Sequence, residues 1–291
     1  MARKKKEETK AKPKSKLSGL ADLLKGQLGA EAVHVGDQHD LGEPKMFIPP
    51  GVPGLVEILD RDERGWPTGR IVEIYGANAT CKTGIGYALA AEVQKAGGSF
   101  ILFPSEGNVD NWLMDKYGIE KENVLVVDEN TVEKVFAGIK IMVENAGEEP
   151  LLIMIDSVAG LCTEEELNDP DFNRDRGAQV RAMLISKAMR KLGAIIPRTN
   201  VILFLINQVR EADSAGHAKK KPQPPGGRAI GFYCSVRIRL EYLGKKNRQK
   251  SGKKFVSGIK LKATAEKNRL ARPFQDVEFE LDFEEGIKAK D

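Results

Sequence analysis

The sequence predicts an α/β protein with a mainly parallel central sheet flanked by helices and antiparallel edge strands toward the C-terminus. Three observations predict this class. Short, continuously apolar runs such as LLIMI (151–155) and VILFLI (201–206) have the length and character of strands buried on both faces. Segments of helical periodicity separate these runs, the pattern of βαβ units. From Ile230 onward, apolar and polar residues alternate instead, as in strands with one solvated face.

Element by element, Leu17, Leu20, Leu23, Leu24 and Leu28 recur at helical spacing and predict a short amphipathic helix, packed on its own core or on a neighbouring subunit. A Gly/Pro-rich link follows, including PPGVPG (49–54). The main body then alternates. RIVEIY (70–75) is a strand and residues 83–98 a helix; SFILFP (99–104) is a strand, with a helix near 109–118. NVLVVD (123–128) is a strand, with a helix near 131–146. PLLIMID (150–156) is a strand, a long helix spans about 177–192, and VILFLINQ (201–208) closes the series. Three late runs, 233–243, 255–267 and 277–283, read as largely antiparallel edge strands. The expected organisation is a basic flexible tail at 1–16, an N-terminal helix and linker for subunit docking at 17–54, and a core at 55–291.

Composition narrows the function. Hydrophobic residues make up 41% and charged residues 30%, as in a soluble globular chain, and no apolar run reaches the roughly 18 residues of a membrane span. There is no hydrophobic signal-peptide stretch, so a cytoplasmic location is expected. Three scattered cysteines (Cys81, Cys162, Cys234) make no disulfide framework, and three scattered histidines make no zinc site. Residues 1–16 hold eight Lys or Arg against two Glu, a net of +6 within a chain total of +4, which leaves −2 for the rest. Such a run is a solvated tail or an arm for nucleic-acid phosphate.

The chemistry starts at GANATCKT (76–83), between a predicted strand and helix. It fits the phosphate loop GxxxxGK[ST] at every fixed position but one. In that loop backbone amides cradle phosphates, a role for Gly76, Ala77, Asn78, Ala79, Thr80 and Cys81. Lys82 then neutralises the β and γ phosphates of ATP, and Thr83 gives its hydroxyl oxygen to Mg²⁺. Cys81 stands where the pattern has glycine, so a Cβ must fit there, and its place beside Lys82 at a helix start predicts a lowered thiol pKa and alkylation shielded by ATP. Asp156 ends a buried strand, where it serves Mg²⁺ or caps the next loop. Glu106, past another strand, either polarises an attacking water or is a turn carboxylate; Gln208 is a strand-end hydrogen bonder. Two polar segments, 162–178 and 209–228, follow buried strands and therefore lie on the ligand-binding edge of the sheet.

In order and spacing these stretches, with AMRKL (188–192), LFLINQVR (203–210), GGRAIGFYCSVRIRL (226–240) and KNRLARPF (267–274), resemble the RecA family of homologous-recombination ATPases from about Leu55 to Gly286. The replaced glycine and the short chain look more like the bacteriophage recombinases of that family. The chain ends soon after DFEEG (282–286), so the separate C-terminal domain of bacterial members is expected to be missing. The resemblance implies a RecA-like core in which Asp156 supports the metal, Glu106 is the general base and Gln208 is a γ-phosphate sensor. It places Asp110 near adenine, with Trp112 and Leu113 beside it, the family's aromatic falling on Leu113. It implies that Lys267 and Arg269 reach the γ-phosphate of the adjacent subunit, making hydrolysis depend on assembly.

The two polar segments match the family's DNA-binding loops and carry Arg174, Arg176, Lys219, Lys220, Lys221, Gly226, Gly227 and Arg228, with Ser186 and Arg190 on the helix between. Phe172 is their only aromatic residue, which favours backbone tracking over base stacking; a solvated basic loop is the plainer reading of Lys219–Lys221. The run KKNRQKSGKK (245–254) reads as an exposed hairpin turn. The expected activity is a DNA-dependent ATPase that forms a helical filament on single-stranded DNA and pairs it with duplex, with a loader or single-strand-binding protein as a further expected partner. A hexameric helicase-type motor and a mediator that binds DNA without ATP turnover are the alternatives.

Overall fold

The computed structural model describes residues 16–34, 42–170, 177–209, 224–250 and 253–289, in two compact units, Met1–Glu43 and Pro44–Asp291. In the first, helix α1 (Lys16–Leu28) forms as its leucine spacing predicts, and Leu17, Leu20, Leu23 and Leu28 stay exposed. The second unit begins at Pro44 rather than at the expected Leu55. The Gly/Pro-rich stretch is not a linker: strand β1 (Phe47–Ile48) pairs with β2 (Trp66–Pro67), and Ile48 and Val52 are buried. Helix α2 (Val56–Leu59) sits between these strands in sequence.

The main elements follow as β3 (Arg70–Gly76), α3 (Lys82–Lys95), β4 (Ser99–Phe103), α4 (Asn111–Tyr117), β5 (Val124–Val126), α5 (Val132–Glu144) and β6 (Leu151–Ile155). Then come α6 (Glu164–Asn168), α7 (Gly177–Ile195), β7 (Val201–Gln208), α8 (Arg228–Tyr233), β8 (Val236–Lys250), β9 (Lys253–Asn268), β10 (Asp276–Asp282) and β11 (Gly286–Ala289). They build one nine-stranded sheet in the order β11-β10-β9-β8-β3-β7-β6-β4-β5. Strands β8, β3, β7, β6, β4 and β5 run parallel; β9, β10 and β11 add on antiparallel as the alternating sequence predicts, but the first of the three late runs, in β8, instead lies inside the sheet, parallel to β3 and antiparallel only to β9.

Strand geometry sends successive side chains to opposite faces, so each apolar strand feeds two cores. Val72, Ile74, Leu152, Met154, Ile202 and Phe204 pack with Ile85 and Leu89 of α3. Ile71, Ile153, Ile155, Leu203 and Leu205 pack with Val135 and Ile139 of α5, Ile185 and Met189 of α7 and Ile230 of α8. Helix α3 approaches its face closely because residue 86 is glycine: a Cβ there would run into the Met154 sulfur.

Two local expectations are corrected. The first polar segment is not all loop, since Thr163 starts α6 with a capping box to Glu166, whose hydroxyl–amide bond is 3.0 Å. The basic run is not merely a turn: Lys245–Lys250 lie within β8, where Lys246 pairs with Glu280 and Arg248 lies 3.2 Å from Asp282. Nearby carboxylates thus neutralise part of its charge. Among the described residues no helix is long and apolar enough to cross a membrane.

Candidate nucleotide site

The parallel strands all end on one edge of the sheet, and the candidate residues collect there. Strand β3 ends at Gly76, the loop 77–81 turns, and α3 begins at Lys82. Two non-glycine residues of this turn, Ala79 (φ 58°) and Cys81 (φ 62°), are left-handed. Cys81 thus adopts the conformation that the pattern's glycine adopts freely, and the Cβ is accommodated at a cost in strain. The Lys82 ammonium folds back on the loop, donating to the carbonyls of Ala77 (2.7 Å) and Gly76 (3.2 Å). Thr80 closes the turn with a 2.8 Å bond to the Ala77 carbonyl.

Thr83 donates to the Asp156 carboxylate at 2.6 Å, so the two oxygens proposed for Mg²⁺ are adjacent. Hard oxygen donors of this kind suit Mg²⁺, and Thr83 and Asp156 are the residues that would hold it. Glu106 is bridged to the same edge: its Oε1 accepts from Ser157 Oγ at 2.6 Å and from the Gln208 side-chain amide. The predicted base and sensor are therefore in contact across β4 and β7. Burial pulls the Lys82 ammonium pKa down against the attraction of Asp156 and Glu106. Burial likewise pushes the Asp156 carboxyl up, opposed by its bond from Thr83. Both groups are poised to gain when the opposite charge of a metal–phosphate ligand arrives.

These groups form the polar end of a cavity of 660 Å³. Its other end is apolar, lined by Leu113, Tyr117, Ile259, Leu281 and Phe283. Leu113 is thus part of the cavity lining. Asp110 instead caps α4, accepting from the Leu113 amide at 2.8 Å. Trp112 is outside the lining and exposed, with the Lys116 ammonium 4.9 Å from its ring. Sequence reasoning missed Ser157, Tyr117, Ile259, Leu281 and Phe283. Tyr117 had a signal, since it lies four residues after Leu113 on one helix face.

The expectation of a reactive Cys81 is corrected. Burial, the largest influence, pushes its thiol up to about 12, outweighing the Tyr117 hydroxyl and the Lys116 and Lys82 charges. The thiol packs against Tyr117 and Gly84, so a helix-start position is overruled by desolvation.

Lys267 and Arg269 lie away from this cavity. Lys267 donates to the carbonyls of Gly231 (2.8 Å) and Phe232 (2.7 Å) at the end of α8, and Arg269 to Phe232 at 3.1 Å. Gly226 (φ 96°) and Gly227 (φ 75°) lead into Arg228 at the start of α8. Ser186 is half-buried and Arg190 exposed on α7. Arg174, Arg176, Lys219, Lys220, Lys221 and Phe172 lie outside the described residues.

The family model of the RecA N-terminal domain matches residues 50–288. Protein RecA of Thermus aquaticus is 34% identical over 251 residues, 85% of this chain and 71% of that protein. Protein RecA of Francisella tularensis subsp. novicida is 34% identical over 282 residues, 95% of this chain and 74% of that protein. For protein RecA of Mycoplasma mobile the figures are 34% over 224 residues, 77% and 65%. The crystal structure of the RadB recombinase superposes with a TM-score of 0.59 at 18% identity, covering 84% of this chain and 100% of that one, a likeness of fold.

Proposed function

The chain belongs to the RecA family of recombination ATPases, and on that premise we propose that it assembles as a helical filament on single-stranded DNA and promotes homologous pairing and strand exchange with ATP. The observation that carries this reading is the convergence of Lys82, the Thr83–Asp156 pair and the Glu106–Gln208 pair on one cavity. The strands carrying two of these pairs, β6 and β7, lead directly into the two polar segments assigned to DNA.

In this mechanism ATP lies with its phosphates over the 77–83 amides and its base in the apolar end of the cavity. Lys82 exchanges backbone carbonyls for phosphate oxygens. Mg²⁺, when bound at Thr83 and Asp156, neutralises phosphate charge. Glu106, oriented by Ser157 and Gln208, takes a proton from the water whose oxygen bonds to the γ-phosphorus as the bond to ADP breaks. Gln208 reports the γ-phosphate to the segment that follows it. Lys267 and Arg269 act on the neighbouring subunit's phosphate, so that turnover awaits assembly, and ADP release loosens the filament.

Glu106→Gln separates binding from hydrolysis. With ATP, Mg²⁺ and single-stranded DNA it should form persistent filaments in electron micrographs while turnover falls roughly 100-fold or more. Wild-type turnover in that variant would remove Glu106 from the role of base. Wild-type protein that fails to coat single-stranded DNA in ATP would overturn the filament reading.

A further inference from the structure

One face of the sheet, otherwise apolar beneath α7 and α8, holds a buried polar group that the mechanism above does not use. Glu73 of β3 is fully buried. Directly opposite it in register is Arg237 of β8, whose guanidinium pairs with the Glu73 carboxylate and lies 4.6 Å from the centroid of the Tyr75 ring. The other Glu73 oxygen accepts from the Asn207 side-chain amide at 3.0 Å. Asn207, also fully buried, donates to the Pro225 carbonyl at 2.9 Å and accepts from the Gln208 backbone amide at 3.0 Å. Three parts of the proposed ATPase therefore connect to one carboxylate through Asn207 and Arg237. Gln208 is held through Asn207, and so is the chain re-entering at Pro225 after residues 210–223. Helix α8 rests over Arg237, because a Cβ at Gly231 would come within 3.3 Å of the guanidinium. The same helix end holds Lys267 and Arg269 through its carbonyls.

One oxygen of this buried carboxylate is held by Asn207 and the other by Arg237, so displacing either partner leaves a buried polar atom unpaired. That makes the cluster a joint between parts rather than general packing.

We infer that Glu73 is a positioning residue which, through Asn207 and Arg237, couples the chain at Pro225 and the end of α8 to Gln208, and so transmits DNA engagement to the hydrolytic groups. The inference rests on the functional reading above and deepens it. Neither Glu73 nor Asn207 touches the nucleotide cavity.

The test measures two quantities in wild type, Glu73→Gln and Asn207→Ser. One is the affinity for a fluorescent ATP analogue with Mg²⁺ and no DNA. The other is the increase in ATP turnover on adding single-stranded DNA. Asn207→Ser leaves the Glu73–Arg237 pair intact and keeps the test open if Glu73→Gln does not fold. The expected result is nucleotide affinity close to wild type with DNA stimulation reduced roughly 2- to 30-fold, the range that coupling variants produce. Undiminished stimulation in Asn207→Ser, a parallel loss of nucleotide affinity, or failure of both variants to fold would overturn the inference and leave the cluster a structural one. Absence of DNA stimulation in the wild type would instead refute the functional reading on which it rests.

Discussion

The left-handed residues of the phosphate loop give a quantitative prediction. Cys81→Ala and Cys81→Gly both remove the thiol from its contacts with Tyr117 and Gly84, and they differ only by a Cβ at φ 62°. A Cβ in that conformation costs roughly 1–2 kcal/mol. Alanine recovers about 0.4–1 kcal/mol by restricting the unfolded chain. The glycine variant should therefore be the more stable by about 0.5–1 kcal/mol, a difference of roughly 2 °C in melting temperature for a unit of this size. Ala79, at φ 58°, offers the same comparison without a thiol, and Ala79→Gly should stabilise by a similar amount. Urea and thermal unfolding without nucleotide measure both. If alanine equals or exceeds glycine at position 81, and Ala79→Gly destabilises, the loop is not left-handed at these residues and the reasoning fails.

Three further predictions concern charge and the base. Because burial raises the Asp156 carboxyl, the folded nucleotide-free chain holds that proton more tightly than the unfolded chain. Its contribution to stability is present below the ordinary carboxylate range and is lost as pH rises through the raised value; Asp156→Asn should remove that slope in urea melts run upward from the ordinary carboxylate range, and equal slopes would contradict it. Mg²⁺-dependent nucleotide binding should run the opposite way, weakening as pH falls through the same window. Tyr117→Ala should weaken ATP binding by about 1–3 kcal/mol, the range for aromatic stacking on a base, in a direct titration; an unchanged affinity would move the base away from the apolar end of the cavity.

Much of the fold and the polar half of the site was legible in the sequence. The strand ends at Asp156 and Gln208 are marked by apolar runs that stop at polar residues and the one at Gly76 by the phosphate-loop pattern, and one edge of a parallel sheet then gathers them. The apolar half was not, because Ile259, Leu281 and Phe283 come from a hairpin and turn far along the chain, where strand alternation says which face a residue takes but not what it meets. Residues 44–54 read as a linker by composition. Their glycines instead allow close backbone approach, as at Gly51, where a Cβ would come within 2.9 Å of the Ala88 carbonyl. Glu73 escaped for a related reason: a charged residue within a strand reads as solvated unless its partners, Asn207 and Arg237, are known to be neighbours. The thiol of Cys81 was misjudged because a helix start is visible in sequence and the Tyr117 side chain that buries it is not.

The most direct measurement is ATP hydrolysis with and without single-stranded DNA, in wild type and in Lys82→Ala. The account predicts turnover strongly stimulated by DNA in the wild type and abolished in the variant, whose loop lacks the ammonium now held by Gly76 and Ala77. DNA binding without turnover in the wild type would contradict it, and would mean that the loop carrying Cys81 holds nucleotide without supporting its hydrolysis.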